Sequence, residues 1–409
     1  MNNNTFIDFF KNNFKGDRVI WRLLLFLSII SLIAVYGSIS MIAMKGGENN
    51  TTSFLIKQAF TLIVGIGIAY VIHRINYVVI YKLANILLAV STLFLLLTFS
   101  SAFAVEVNNA SRWIQIPGIG IQFQPSEFAK LSLIIFIVKT LSIHQNELDN
   151  PKKVLIPILV VASLISCIIL ISNFSTAFFI MFTTIVLLFL GRIPFKQILT
   201  VLGVASLVVI LMGILILSAP DTFKRGETWQ KRLVSFVPAI APMASDYNPE
   251  NEDKKEVDNH QVNLAKIAIA KGGIFGQGSG NSDQKYRLSQ AYCDFIYAII
   301  IEDYGLFGGI IIMFLYLILL YRAGRIVRRC DYTFPALLVL GLTFSLVSQA
   351  FIHMGVAVNL LPATGQPLPI ISHGTTSLLT TSISFGIILG VSRKIDEEKG
   401  VETTVEKEN

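Results

Sequence analysis

Apolar residues in this chain run in long blocks, separated by short polar stretches that carry most of the charge. A helix needs roughly 20 apolar residues to cross the hydrocarbon core of a bilayer. Ten blocks meet or approach that length: residues 19–43, 54–72, 78–99, 127–143, 154–171, 174–191, 197–217, 294–321, 334–354 and 374–392. The fourth to sixth are short, as suits tilted helices or helices buried in protein. The pattern predicts an all-α polytopic membrane protein with about ten transmembrane helices. Residues 1–18 form an N-terminal tail, 19–392 a single helical domain with one large loop at 218–293, and 393–409 a C-terminal tail.

Basic residues orient these spans. Lys11, Lys15, Arg18 and Arg22 precede the first, His73 and Arg74 follow the second, and Arg322, Arg325, Arg328 and Arg329 follow the eighth. Arg393 and Lys394 follow the tenth, and with ten spans all these positions share one side. Cytoplasmic loops are rich in Lys and Arg, so both termini are expected in the cytoplasm and the 218–293 loop outside it. A loop of about 75 residues far exceeds the usual connection and marks a functional segment.

Composition agrees. The 409 residues are 53% hydrophobic and 14% charged, against about 25% charged in soluble domains, and mean hydropathy is +0.66. The net charge of +7 therefore belongs to loop asymmetry and not to nucleic-acid binding. Cys167, Cys293 and Cys330 have no metal or disulfide spacing, and the five histidines make no zinc motif. Residues 1–17 are polar, and the apolar run after them is too long for the core of a cleavable signal.

An ionisable residue at the door of a span is a functional candidate by default. Asp294 opens the eighth block, as a catalytic carboxylate or as a helix N-cap. Glu302 lies eight residues on, which a continuous helix would put about 12 Å deeper. A buried structural partner for an Arg or Lys is its expected role. Glu127 and Lys130 begin the fourth block, where Ser126 would cap the helix and Lys130 would snorkel or line a polar cavity. Arg232, with Lys224, Arg225 and Lys231, is either an interfacial anchor or a clamp for a diphosphate. The segment 276–282, G-Q-G-S-G-N-S, is either a flexible turn or a backbone cradle for an anion, and it is no Walker loop. Within the long loop, residues 245–260 are acidic and flexible in character, and 261–270 are helix-prone. His353 and His373 flank an uncharged outward segment, as polar lining residues.

Four motifs in order resemble one family. N-G-A-x-R-W-I…Q-P-S-E-x-x-K stands here as Asn108 to Ile114 and Gln124 to Lys130. G-G-L-x-G-x-G-x-G-N-S-x-Q-K stands as Gly272 to Lys285, with Ile274 for Leu. T-D-F-I-F-A-x-x-x-E-E-x-G stands as Cys293 to Gly305, and P-x-T-G-x-P-L-P-x-x-S-x-G-x-[ST]-S as Pro362 to Ser377. Nearly the whole chain resembles the FtsW/RodA family of SEDS proteins, and the G-N-S-x-Q-K segment is more similar to its division branch than to its elongation branch. The resemblance implies an inverting peptidoglycan glycosyltransferase that polymerises lipid II outside the cytoplasmic (inner) membrane. It implies a class B penicillin-binding protein as partner, with other divisome or elongasome membrane proteins. Rod elongation and lipid II flipping are the alternatives.

By this resemblance Asp294 is the general base. Arg112, Lys130, Arg232, Gln284, Lys285 and Ser377 are the substrate-binding candidates, and Glu127, Glu302, Gly278, Gly280, Pro367 and Pro369 provide support. A Mg2+ or Mn2+ could help neutralise the diphosphate, although the sequence offers no all-protein cage and no organic cofactor motif. The chain departs from the family pattern in reading Gln290 and Tyr292 within L-P-E-x-H-T, Asn173 for the Asp of P-D-x-G-T, and His353 for Asn.

Overall fold

The computed structural model describes residues 13–38, 48–100, 103–107, 110–115, 122–218, 230, 252–284, 288, 292–362 and 364–408. Among them the helices are α1 (Arg18–Ser38), α2 (Glu48–Arg74), α3 (Tyr77–Leu97), α4 (Pro125–Ile143), α5 (Leu155–Leu170), α6 (Phe174–Leu190), α7 (Phe195–Ser218), α8 (Glu252–Gly272), α9 (Ile296–Val327), α10 (Thr333–Ala357) and α11 (Thr375–Glu408). Every apolar block is a helix, and α8 lies within the long loop. Among the described residues seven helices are long and apolar enough to cross a membrane, and α5 and α6 are shorter apolar helices. The protein is a polytopic helical membrane protein.

The expectation of an all-α chain needs one correction. Strands β1 (Ala104–Val107), β2 (Ala110–Gln115) and β3 (Gln122–Phe123) form an antiparallel sheet in the order β1-β2-β3. Val105 pairs with Trp113 and Ile114 with Phe123, so β-branched and aromatic residues meet across the sheet, as strand surfaces favour. Two boundaries also move. The loop helix begins at Glu252, inside the stretch expected to be flexible, and α11 continues through the C-terminal tail to Glu408.

The basic ends meet on one face. Asp17 accepts from Val19 N (2.8 Å) and Ile20 N (3.2 Å), capping α1, and pairs with Arg322 at 2.5 Å. Arg393 donates to the carbonyls of His73 and Arg74 at 3.1 Å each. The start of α1 and the ends of α2 and α9 therefore lie together beside the second half of α11. α10 and α11 are the most enclosed of the long helices, whereas α7 exposes Leu207, Ile210 and Ile214 along its length.

α9 is not one continuous helix. Gly305 has φ 70° and ψ −176°, a conformation nearly restricted to glycine. Tyr297 and Gly309 would lie about 18 Å apart in a straight helix, yet a Cβ on Gly309 would sit 3.0 Å from the Tyr297 hydroxyl and 3.0 Å from Ile301 Cγ1. The segment before Gly305 therefore folds back along the segment after it. Glu302 is consequently not deeper than Asp294. Asp303 packs on Gly37 near the far end of α1. The chain at Cys293 is held by Ser372, next to Ile371, whose carbonyl accepts from Ser31. Six residues of α1 separate those levels, about 9 Å, so the short helix climbs from a recessed Asp294 toward the outer end of the bundle.

Candidate functional site

The recess around Asp294 is built by backbone pairing. His373 N donates to Tyr292 O at 3.0 Å, and Ser372 Oγ donates to Cys293 O at 2.9 Å. The loop that supplies these donors is fixed along its length. Leu368 N donates to Ser372 Oγ (2.8 Å), Gln349 Nε2 to Pro367 O (2.8 Å) and Tyr316 Oη to Pro369 O (2.5 Å). His353 Nδ1 lies 2.8 Å from Gln366 O, and Gln366 Nε2 donates to Thr176 Oγ1 at 2.8 Å. Pro367 and Pro369 thus act through their carbonyls, which buried polar groups from α9 and α10 satisfy.

Asp294 is half-buried and faces the turn at Gly365, whose φ is 65°; a Cβ there would lie 4.0 Å from Asp294 Oδ2. The N-cap reading does not hold. Phe295 occupies the cap position of α9, with no side-chain cap bond. Beside it the Cys293 thiol has its pKa pushed well up, by burial first and then by the Asp294 charge. Burial first, with Cys293 and Asp294 after it, also raises the Tyr292 phenol. Both neighbours stay protonated at neutral pH.

The glycine-rich segment does hold anions, but they belong to its own chain. Glu302 is fully buried and accepts from Ser282 Oγ, Asp283 N (3.2 Å) and Gln284 N (3.4 Å). Asp303 accepts from Gly280 N and Ser282 N, both at 3.2 Å. Gly278 and Gly280, with φ 96° and 77°, give the turn these bonds need, and Gly278 N also donates to Asp303 O at 2.9 Å. Leu306 N and Phe307 N donate back to Gly273 O and Ile274 O. The expected basic partner of Glu302 is replaced by loop donors. Asp303 was missed by sequence reasoning, though two adjacent acids inside an apolar run were the available signal.

The other candidates separate. Lys130 is not a free phosphate clamp: its Nζ donates to Glu127 Oε2 (2.9 Å) and Gln349 Oε1 (2.7 Å) and lies over the Phe179 ring. Glu127, Lys130 and Gln349 line a small cavity with room for about one water, together with Ser345, Thr380, Leu342 and Leu346. Ser126 does not cap α4, because Gln124 precedes a Pro125 that opens the helix. Arg112 Nε donates to Ser172 O at 2.9 Å, tying the sheet to the α5–α6 turn. Ser377 is buried in the first turn of α11, where its carbonyl accepts from Thr380. Gln284 is buried beside the glycine turn, with no hydrogen bond to its Oε1. Arg232 and Lys285 lie outside the described residues, as do Lys224, Arg225, Lys231 and Gln290. Among the described residues no three His, Cys, Asp or Glu side chains converge as a metal site. The donors described at Asp294 do not make a protein cage for Mg2+ or Mn2+.

Residues 17–397 match the FtsW/RodA/SpoVE family, described as cell cycle proteins. The chain belongs to that family. It is 30% identical over 391 residues to a probable peptidoglycan glycosyltransferase FtsW of Enterococcus hirae, covering 94% of this chain and 95% of that protein. The protein of the same name from Coxiella burnetii is 31% identical over 381 residues, covering 91% and 95%. Among solved structures, a chain from a study of polymerization and crosslinking by a peptidoglycan synthase complex superposes with TM-score 0.69 at 21% identity, over 93% of this chain and 98% of that one. The rod shape determining protein RodA of Thermus thermophilus gives TM-score 0.63 at 20% identity, over 92% and 97%. These structural likenesses establish the family fold.

Proposed function

We propose that this protein is a peptidoglycan glycosyltransferase that polymerises lipid II at the outer face of the bacterial cytoplasmic membrane, in septal synthesis. Family membership and the names of its relatives support the reaction class, and the FtsW names support the division role. Ten spans with both termini cytoplasmic fit the helices and the shared basic face. The observation that carries the mechanism is Asp294. It is half-buried, set by the paired loops 292–293 and 372–373, and not spent on capping α9.

Asp294 takes the proton from the 4-hydroxyl of the acceptor sugar as that oxygen attacks the anomeric carbon of the donor. The bond to the lipid diphosphate breaks with inversion, and the diphosphate leaves as an anion. Base assistance of this kind contributes roughly 10²–10⁴-fold. The leaving group needs positive charge. Arg112 retains donors beyond the Nε bound to Ser172, and Arg232 is the second candidate. Lys130, already neutralised by Glu127, supports the fold of the site. A Mg2+ or Mn2+ would arrive with the substrate's phosphates, which usually complete its coordination. A class B penicillin-binding protein would crosslink the product.

Purified protein is assayed with labelled lipid II, with and without the transpeptidase. Wild type is expected to make glycan and Asp294→Ala none, at equal monodispersity; polymer from Asp294→Ala would refute the assignment. Asp294→Asn keeps the shape without the charge and should be equally inactive. The competing reading is a lipid II flippase, which ten spans and the buried polar groups Glu127, Lys130 and Gln349 would also suit. Translocation in proteoliposomes without polymerisation would establish that reading.

A further inference from the structure

His373 has no part in the reaction above. We propose that its imidazole is a fixed hydrogen-bond acceptor of the same site, its Nε2 receiving a hydroxyl hydrogen from the bound disaccharide. This deepens the glycosyltransferase reading and rests on it.

The hydrogen-bond directions settle which ring nitrogen carries the proton. A carbonyl only accepts, so Ser31 Oγ spends its single hydrogen on Ile371 O, at 2.9 Å. Ser31 must then accept from its other partner, which places Gln58 Nε2 toward it at 2.9 Å. The Gln58 oxygen consequently faces His373 Nδ1 at 2.6 Å, and only an Nδ1–H can satisfy it. In the neutral ring Nε2 is therefore a bare lone pair. The ring stays neutral at pH 7, because burial, then Lys57, lowers its pKa to about 4. Besides Lys57 from α2, the ionisable group packed against it is Tyr292, whose ring centroid lies 5.8 Å away.

The surroundings suit a sugar. Phe54 stands 4.2 Å from the imidazole, centroid to centroid, and Tyr292 stands edge-on. Apolar walls with one precisely oriented polar group are the usual construction of a small-molecule subsite. The backbone of His373 is bonded to that of Tyr292, two residues before the proposed base. A disaccharide is longer than one side chain, so a sugar held at Asp294 would extend along these paired loops toward His373.

The test uses the full chain in nanodiscs with 15N-labelled histidine. There are five histidines, and His373→Phe identifies the signal. The expected spectrum has a protonated Nδ1 and a bare Nε2 at neutral pH. Adding lipid II to the Asp294→Ala protein, where no turnover occurs, is expected to shift Nε2. An Nε2–H tautomer, or no shift at saturating lipid II, overturns the proposal. In turnover assays His373→Phe should raise KM about tenfold, as for one lost hydrogen bond, and lower kcat far less. An unchanged KM with a lowered Tm would make His373 a packing residue and overturn it as well. Glycan synthesis without an Nε2 shift defeats this inference alone. An Nε2 shift, when the wild type makes no glycan, defeats the glycosyltransferase reading and leaves the sugar contact standing.

Discussion

Replacing Glu302 by alanine isolates what holds the glycine-rich segment on α9. The substitution leaves Ser282 Oγ, Asp283 N and Gln284 N without their acceptor. Hydrogen bonds to a charged group contribute about 1.5–3 kcal/mol each. The 3.4 Å bond from Gln284 is weak, so two effective bonds give roughly 3–6 kcal/mol. Removing the buried carboxylate also removes its desolvation cost, which brings the net local loss to about 3 kcal/mol. By the tenfold-per-1.4 kcal/mol rule, amides of Ser282–Gln284 should exchange hydrogen roughly 100-fold faster. Exchange measured by mass spectrometry on peptides spanning 276–284, with α4 and α10 as internal controls, reads this directly. Glu302→Gln keeps an oxygen acceptor and should accelerate exchange only several-fold. Unchanged exchange in Glu302→Ala would refute the latch, and equal acceleration in the Gln variant would refute the role given to the charge.

Three further outcomes are expected. Gly305→Ala should abolish monodisperse protein, because its φ is 70° and the new Cβ would lie 2.2 Å from Ile274 O; normal yield on size-exclusion chromatography would contradict the hairpin. Lys130→Met leaves Glu127 buried without its cation and should cost about 3–5 kcal/mol, while Lys130→Met with Glu127→Leu should recover most of the lost thermal stability. If the single variant is as stable as the double, the pairing reading fails. His373 has its pKa lowered in the fold from 6.5 to about 4, so its contribution is complete above about pH 6.5 and is lost as pH falls through 4. The loss amounts to about 3 kcal/mol, and a Tm–pH curve should flatten over that window in His373→Phe.

Helix existence was legible in the chain because apolar length is a strong signal, and each of the ten blocks is a helix. What failed was the geometry inside the blocks. A continuous apolar run from Asp294 to Tyr321 hides a reversal that a single glycine torsion makes, and no hydropathy average registers it. The depth assigned to Glu302 failed with it. The sheet at 104–123 was hidden because its strands are two to six residues long. Asp294 was legible as an ionisable residue beside a span. Its setting was not, since Ser372 and His373 pair with the backbone of Cys293 and Tyr292, and Gly365 lies near its carboxylate, only through tertiary structure. Lys130 shows the converse. Its charge marked it as a candidate, and Gln349, some 219 residues away, joins Glu127 in fixing it in place.

Two departures from the family pattern, Asn173 and His353, fall where the hydrogen-bonding duty survives the change. Asn173 caps α6, its Oδ1 accepting from Thr176 N at 3.3 Å. Asn and Asp are equivalent as N-caps, so the amide in place of an acid leaves the helix start intact and removes a charge from the turn that Arg112 grips through Ser172. His353 meets the Gln366 carbonyl through Nδ1, a donation that an Asn amide would also supply. At these two positions the replacements retain the contact to a loop carbonyl or helix terminus and change only the charge or bulk around it. If that is the whole of their role, Asn173→Asp and His353→Asn should each keep the Tm within a few degrees and leave polymerisation intact. A loss of activity in Asn173→Asp at unchanged Tm would show instead that the charge at this turn bears on the grip of Arg112, and hence on the diphosphate.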